Sequence, residues 1–162
     1  MKRSLLIVAA RLYQRVMSVV WKVFKPTTVG VRGIVRDPDG KVVLVRHTYL
    51  SGWHLPGGGV KRRETIDQAV RRELREEVGV EVGEGEDALH ILGAYTFATE
   101  GKQDHIAVFV VDLWSPIEAH KPSFEIAERR AFALDALPEG TTPATRRRLR
   151  ELTGEDRVRF LW

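Results

Sequence analysis

The sequence predicts a mixed α/β sandwich. Three observations carry that prediction. Strand-like runs lie on both sides of one long helical stretch, a second helix closes the chain, and 162 residues suffice for one domain with a substantial core but not for two. Hydrophobic residues make up 43% and charged residues 30%, the balance of an ordinary globular protein rather than a fibrous or unfolded one.

The elements follow in order. Residues 4–24, "SLLIVAARLYQRVMSVVWKVF", read as an N-terminal amphipathic helix with Ser4, Arg11, Arg15, Ser18 and Lys22 on one face. Arg11, Gln14 and Arg15 interrupt it, so it makes a poor membrane span, and no small-residue cleavage site marks a signal peptide. Two readings stay open. The helix lies on a membrane surface with its basic face towards anionic lipid, or it packs on its own domain or on a second subunit of a homodimer, the more ordinary fate of such helices. Pro26 ends it, dividing the chain into a helix over 1–25 and a globular domain over 26–162.

Within that domain, 27–36 and 41–47 read as strands around the turn signal "DPDG", and 88–98 and 104–114 as a second strand pair. Residues 130–137 are expected to hold one more short strand. Residues 142–152 are expected to be helical, with Pro143 near the first turn. The cluster "RRRLR" (146–150) reads as a solvated helix face rather than a nucleic-acid contact.

Charge divides unevenly. The first 36 residues hold eight basic and no acidic residues, whereas the remainder holds 18 basic and 22 acidic ones. There is no cysteine, which excludes disulfides and thiolate metal sites and suits a reducing compartment. The expected location is the cytoplasm, with its inner membrane surface left open by residues 1–25. The five histidines are scattered without metal-ligand spacing and are expected to be structural or surface residues.

The chemistry concentrates in "HLPGGGVKRRETIDQAVRRELREEVGVEV" (54–82). On a helical projection of 66–78, Ile66, Ala69, Val70 and Leu74 share one side, and Gln68, Arg71, Arg72 and Arg75 the other. Glu73 and Glu77 fall within the apolar sector and Glu76 at its margin, where a solvated charge face would not put them. Carboxylates are also disfavoured near a helix C-terminus, which carries partial negative charge. Three of them at i, i+3 and i+4 repel one another when partly buried. Arg72 could offset some of that charge, and a hard divalent cation would offset more. Oxygen-only ligands suit Mg²⁺, with Mn²⁺ as the alternative. The preceding Pro56-Gly57-Gly58-Gly59 turn allows backbone to approach a ligand closely.

These residues resemble the Nudix box, G-x5-E-x7-R-E-U-x-E-E-x-G-U with U aliphatic. Gly58, Glu64, Arg72, Glu73, Leu74, Glu76, Glu77, Gly79 and Val80 fill each fixed position. The residue before Glu64, often glycine in similar proteins, is Arg63. The resemblance covers roughly 27–150 and implies the Nudix fold, an α/β/α sandwich around a mixed β-sheet. It implies a pyrophosphohydrolase acting on a nucleoside diphosphate linked to another group, such as an NTP, nucleotide sugar, ADP-ribose or dinucleoside polyphosphate. In its terms Glu73, Glu76 and Glu77 hold the metal with a backbone carbonyl near Gly58, Arg72 orients the glutamates, and Glu64 steadies the loop-helix-loop with Gly79 in the motif. No nucleophilic Ser, Cys or His arrangement is evident, so water is the expected nucleophile. The general base is expected to be Glu76 or Glu77, with Glu125 the later-loop candidate and Glu128 beside it.

Substrate contacts are less legible. Trp53, Tyr95 and Arg46 are the named candidates, with Tyr49 and Phe97 also able to stack on a base, although aromatic residues in strands commonly belong to the core. Nucleic acid is not an expected partner. The competing class is a non-catalytic nucleotide-binding or membrane-surface regulatory module. Loss of box glutamates would signal a non-catalytic module, and none is lost.

Overall fold

Strand β1 (Thr27–Val35) serves both faces of its sheet, giving Val31 and Val35 to one buried cluster and Ile34 to the other. It belongs to the computed structural model of the chain, which describes residues 27–85, 87–99, 102–118 and 124–162. The expected N-terminal helix lies outside these residues. After β1 come β2 (Val42–His47), α1 (Ile66–Glu73), a π-helical turn (Leu74–Val78) and β3 (Val80–Val82). The chain continues through β4 (Leu89–Thr99), β5 (Lys102–Val111), β6 (Trp114–Pro116), β7 (Ile126–Phe132) and α2 (Pro143–Leu152).

Strands β1, β5 and β4 form a mixed sheet in that order, with β1 parallel and β4 antiparallel to β5. Strand β2 pairs with β7 and β3 with β6, both antiparallel. One core cluster joins the sheet to α1 and the π turn through Val31, Val70, Leu74 and Val78. The other joins it to α2 through Ile34, Ile106, Val108 and Leu149. The sheet thus lies between helices, the expected sandwich.

Helix α1 starts on a capping box. The Thr65 hydroxyl accepts from the Gln68 N–H and the Gln68 side chain from the Thr65 N–H. The π turn that continues it from Leu74 ends at Gly79, whose φ of 74° closes the turn. The expected uninterrupted helix over 66–78 is therefore two forms joined at Leu74. Ile66, placed on the apolar side by its period, is 39% exposed because it occupies the first turn, at the rim of the sheet.

Other differences have physical reasons. Strands β1 and β2, read as partners around "DPDG", share a single bridge from Arg36 to Val42. The outer edge of β1 is taken instead by the glycine turn, where Val31 and Gly33 N–H donate to Gly58 and Pro56 carbonyls at 2.9 Å and Val60 N–H donates to Val29. The last strand begins at Ile126 rather than near 130, because its charged residues face β2 across an exposed ladder, Glu128 opposite Arg46. The short β3 and β6 were not read. Arg148, expected on a solvated face, is fully buried beneath the sheet and paired with Glu151 at 2.9 Å.

Candidate active site

The site is assembled where the glycine turn crosses β1. A side chain on Gly57 would meet the Val31 carbonyl oxygen at 2.2 Å, and its φ of 138° is one that L residues avoid. That close crossing aims the Gly57 N–H at Glu77, whose Oε2 accepts at 2.8 Å. A side chain on Gly58 would lie 2.5 Å from Glu73 Oε1. Two carboxylates from successive turns of α1 and the π turn therefore flank one bare stretch of backbone. The π turn rests on β1 itself, since Gly33 has no Cβ to collide with Leu74.

Arg72 ties the motif together. Its guanidinium donates to Glu64 at 2.7 and 2.9 Å, to Glu73 at 2.6 Å and to the Gly59 carbonyl at 3.1 Å, with Glu76 at 3.5 Å. The bond from Arg72 holds the Glu64 carboxyl down to about 2, and Glu64 in turn holds the guanidinium charged. Glu77 is the opposite case. It is 6% exposed, and burial lifts its carboxyl to about 7 against the lowering pull of the Gly57 N–H and Arg32. Glu76 is half exposed.

Sequence reasoning missed Arg32. It projects from β1 between Gly30 and Gly33, and burial lowers its pKa while Glu77, Glu73, Tyr49 and Asp104 raise it. An arginine amid small apolar residues of a buried strand was the available signal. Around it lie His47 and His54, with rings 5.5 Å apart. Burial first, then His54 and Arg32, lowers His47 to about 4, and burial, with Arg32 and against the bond to the Ser51 carbonyl, keeps His54 below the ordinary imidazole value. The Tyr49 hydroxyl donates to Glu125 at 3.4 Å and is pushed up to about 12 by burial and by Glu125 and Glu77. Glu125 is thus close enough to Glu77 to raise it as well.

The substrate candidates fare differently. Tyr95 is 1% exposed, its hydroxyl donating to Glu151 at 2.7 Å and its ring covered by Arg148 at 3.8 Å, so it offers no face to a nucleotide. Trp53 is 8% exposed and packed edge-on against Phe132. Arg46 lies over Trp53 and pairs with Glu128 at 2.7 Å on the surface. Packing buries the two aromatics, and the alternation of β2 turns Arg46 outward. Tyr49 and Phe97 remain on the cleft side of the fold.

Whether the residues suit a divalent cation is answered by their electrostatics. Glu77 is a buried carboxylate bonded by one backbone N–H, and Glu73 lies against the Gly58 backbone. The donors are oxygen atoms, the set hard cations take. Yet among the described residues no three acidic or histidine side chains are gathered closely enough to close on one ion. Arg72 holds Glu73, and Gly57 holds Glu77. Glu73, Glu76 and Glu77 offer oxygen donors and negative charge of the kind such a site needs, without a closed arrangement among the described residues.

A sandwich with these glutamates on its α1 face defines a family. The NUDIX domain family model matches residues 26–155, and the chain belongs to the Nudix family. It is 46% identical over 48 residues to an RNA pyrophosphohydrolase of Hydrogenovibrio crunogenus, covering 30% of this chain and 29% of that protein. It is 35% identical over 74 residues to a MutT-like protein of Streptomyces ambofaciens, 46% of either chain. The chain matches less than half the length of these curated relatives. Among solved structures, a MutT NUDIX hydrolase from Burkholderia pseudomallei superposes with a TM-score of 0.67 at 26% identity, over 78% of this chain and 98% of that one.

Proposed function

We propose that the chain is a divalent-metal-dependent pyrophosphohydrolase that cleaves a phosphoanhydride bond in a nucleotide. The observation that carries the reading is the convergence of Glu73 and buried Glu77 on the Gly57–Gly58 backbone. Glu73, Glu76 and Glu77, with a backbone carbonyl near Gly58, would hold the cation, Mg²⁺ by preference or Mn²⁺. When bound, it supplies charge neutralisation for the bridging phosphates and a more acidic water.

The chain's own residues do the rest. Arg32 places a guanidinium beside the glutamates, where it can take a phosphate oxygen. Arg72 fixes Glu73 and, through Glu64, the loop that precedes the helix. A proton leaving the attacking water goes to Glu76 or Glu77, with Glu125 the alternative acceptor because it stands near Glu77. The RNA pyrophosphohydrolase relatives add a 5′-triphosphate RNA end to the substrates worth testing.

The test is a hydrolysis screen with Mg²⁺ or Mn²⁺ over NTPs, oxidised NTPs, ADP-ribose, nucleotide sugars, dinucleoside polyphosphates and 5′-triphosphate RNA. Wild type turns over one group, and Glu77→Gln loses about a hundredfold or more of that rate. Silence of folded wild type across the panel favours a binding module instead.

A further inference from the structure

Arg32 divides the cleft into two cavities. One, about 560 Å³, is bounded by Gly58, Gly59, Thr28 and Asp104, at the Gly58 backbone that Glu73 flanks. The other, about 320 Å³, is lined by Arg32, His54, Phe97, Arg147 and Trp162 and by the start of α2. No residue of the box lines the second cavity, and its size is that of a small-molecule site.

Trp162 reaches it because the last residues lie along β4. Thr96 N–H donates to the Phe160 carbonyl at 2.7 Å, and Trp162 N–H donates to Thr96 O at 3.0 Å. Arg147 donates to the Trp162 carbonyl at 2.9 Å and Arg148 to Leu161 O at 3.2 Å. Arg148, wholly buried and held by Glu151, lies over the Trp162 ring at 5.5 Å, and Tyr95 meets that ring edge-on at 5.9 Å. The same buried arginine covers the Tyr95 ring at 3.8 Å, and with the α2-side core against which Trp162 packs it holds the indole in place.

We propose that Trp162 is a substrate-binding residue, the stacking wall of a base slot that the C-terminal segment brings to the cleft. Phe97, 43% exposed, supplies a second aromatic surface, and the guanidiniums of Arg32 and Arg147 complement a phosphate at the mouth. A nucleoside phosphate with its base against Trp162 runs its phosphates past Arg32 into the larger cavity. The proposal rests on the nucleotide reading above and adds the part of the chain that holds the base.

Calorimetric titration of the metal-free full chain with AMP, GMP and ribose 5-phosphate tests it without turnover. Trp162→Ala weakens both nucleotides about 5- to 100-fold, the range of one lost base stack. Trp162→Phe restores most of it, and ribose 5-phosphate binds all three proteins alike. Trp162→Leu, which keeps bulk without a π face, carries the comparison if the alanine variant melts early. Equal nucleotide affinity in wild type and Trp162→Ala overturns the proposal. So does an equal loss for ribose 5-phosphate, or no nucleotide binding by wild type. Hydrolysis by wild type that Trp162→Ala leaves unchanged, with unchanged nucleotide affinity, overturns the slot and leaves the hydrolase reading standing; nucleotide binding that depends on Trp162 without hydrolysis does the reverse.

Discussion

At the scale of single residues, Glu77 carries the most informative charge in the molecule. Burial raises its carboxyl from the ordinary value to about 7. A raised acid stabilises the fold while protonated, so the contribution is complete below the unfolded carboxylate value and is lost as pH climbs through about 7. The contribution of Glu77 in the metal-free protein should therefore fall by up to about 3 kcal/mol between pH 4.5 and 8. The difference between wild-type and Glu77→Gln melting curves across that range checks it, since the histidines contribute alike to both and only the Glu77 slope is removed. Added Mg²⁺ raises the melting temperature more at pH 8 than at pH 5.5, because the cation competes with a proton for the same oxygens. His47, held at about 4 in the fold, works in the other direction: below about 6.5 the unfolded chain takes up a proton that the folded imidazole does not, so stability falls as pH drops from about 6.5 towards 4 and opposes the Glu77 slope there.

At the scale of elements, the glycine turn and the π turn act as one device. Each is laid across β1, one by backbone bonds to Val31 and Gly33, the other by Leu74 resting where Gly33 lacks a side chain. Gly57→Ala forces a Cβ into the Val31 carbonyl at a φ alanine avoids, at a cost of about 2 kcal/mol or more. It should also displace the N–H that aims Glu77, so hydrolysis falls further than stability alone explains. Gly40→Ala, at a φ of 77° in an exposed turn with open space around it, serves as the control and loses stability only. Much of this was legible. The spacing of Gly58, Glu64, Arg72, Glu73, Glu76 and Glu77 names the motif, and the helical period puts Glu73 and Glu77 on the inward side. The π turn was not legible, because no residue type marks a one-residue widening of a helix.

At the scale of the whole molecule, the two cores give α1 and α2 to opposite faces of the sheet, and the cleft opens where Arg32 projects on the α2 side. The basic residues 1–25 precede the family match, which begins at 26. Deleting them separates the two roles left open by their pattern. Packing predicts a lower melting temperature or a smaller assembly with vesicle binding unchanged. Loss of binding to anionic vesicles in the deletion, measured by co-sedimentation, would instead establish a surface anchor.

The sequence by itself determined the sandwich, the motif and the inward-facing glutamates, because periodicity and spacing are local properties of a chain. Only the tertiary structure decided which strands pair, since β1 finds its neighbours in β5 and in a turn more than twenty residues away. It alone set Tyr95 and Arg148 in the core and Arg32 and Trp162 at the cleft. Burial of a polar or aromatic side chain depends on what the rest of the chain brings against it, and no window of neighbouring residues contains that partner.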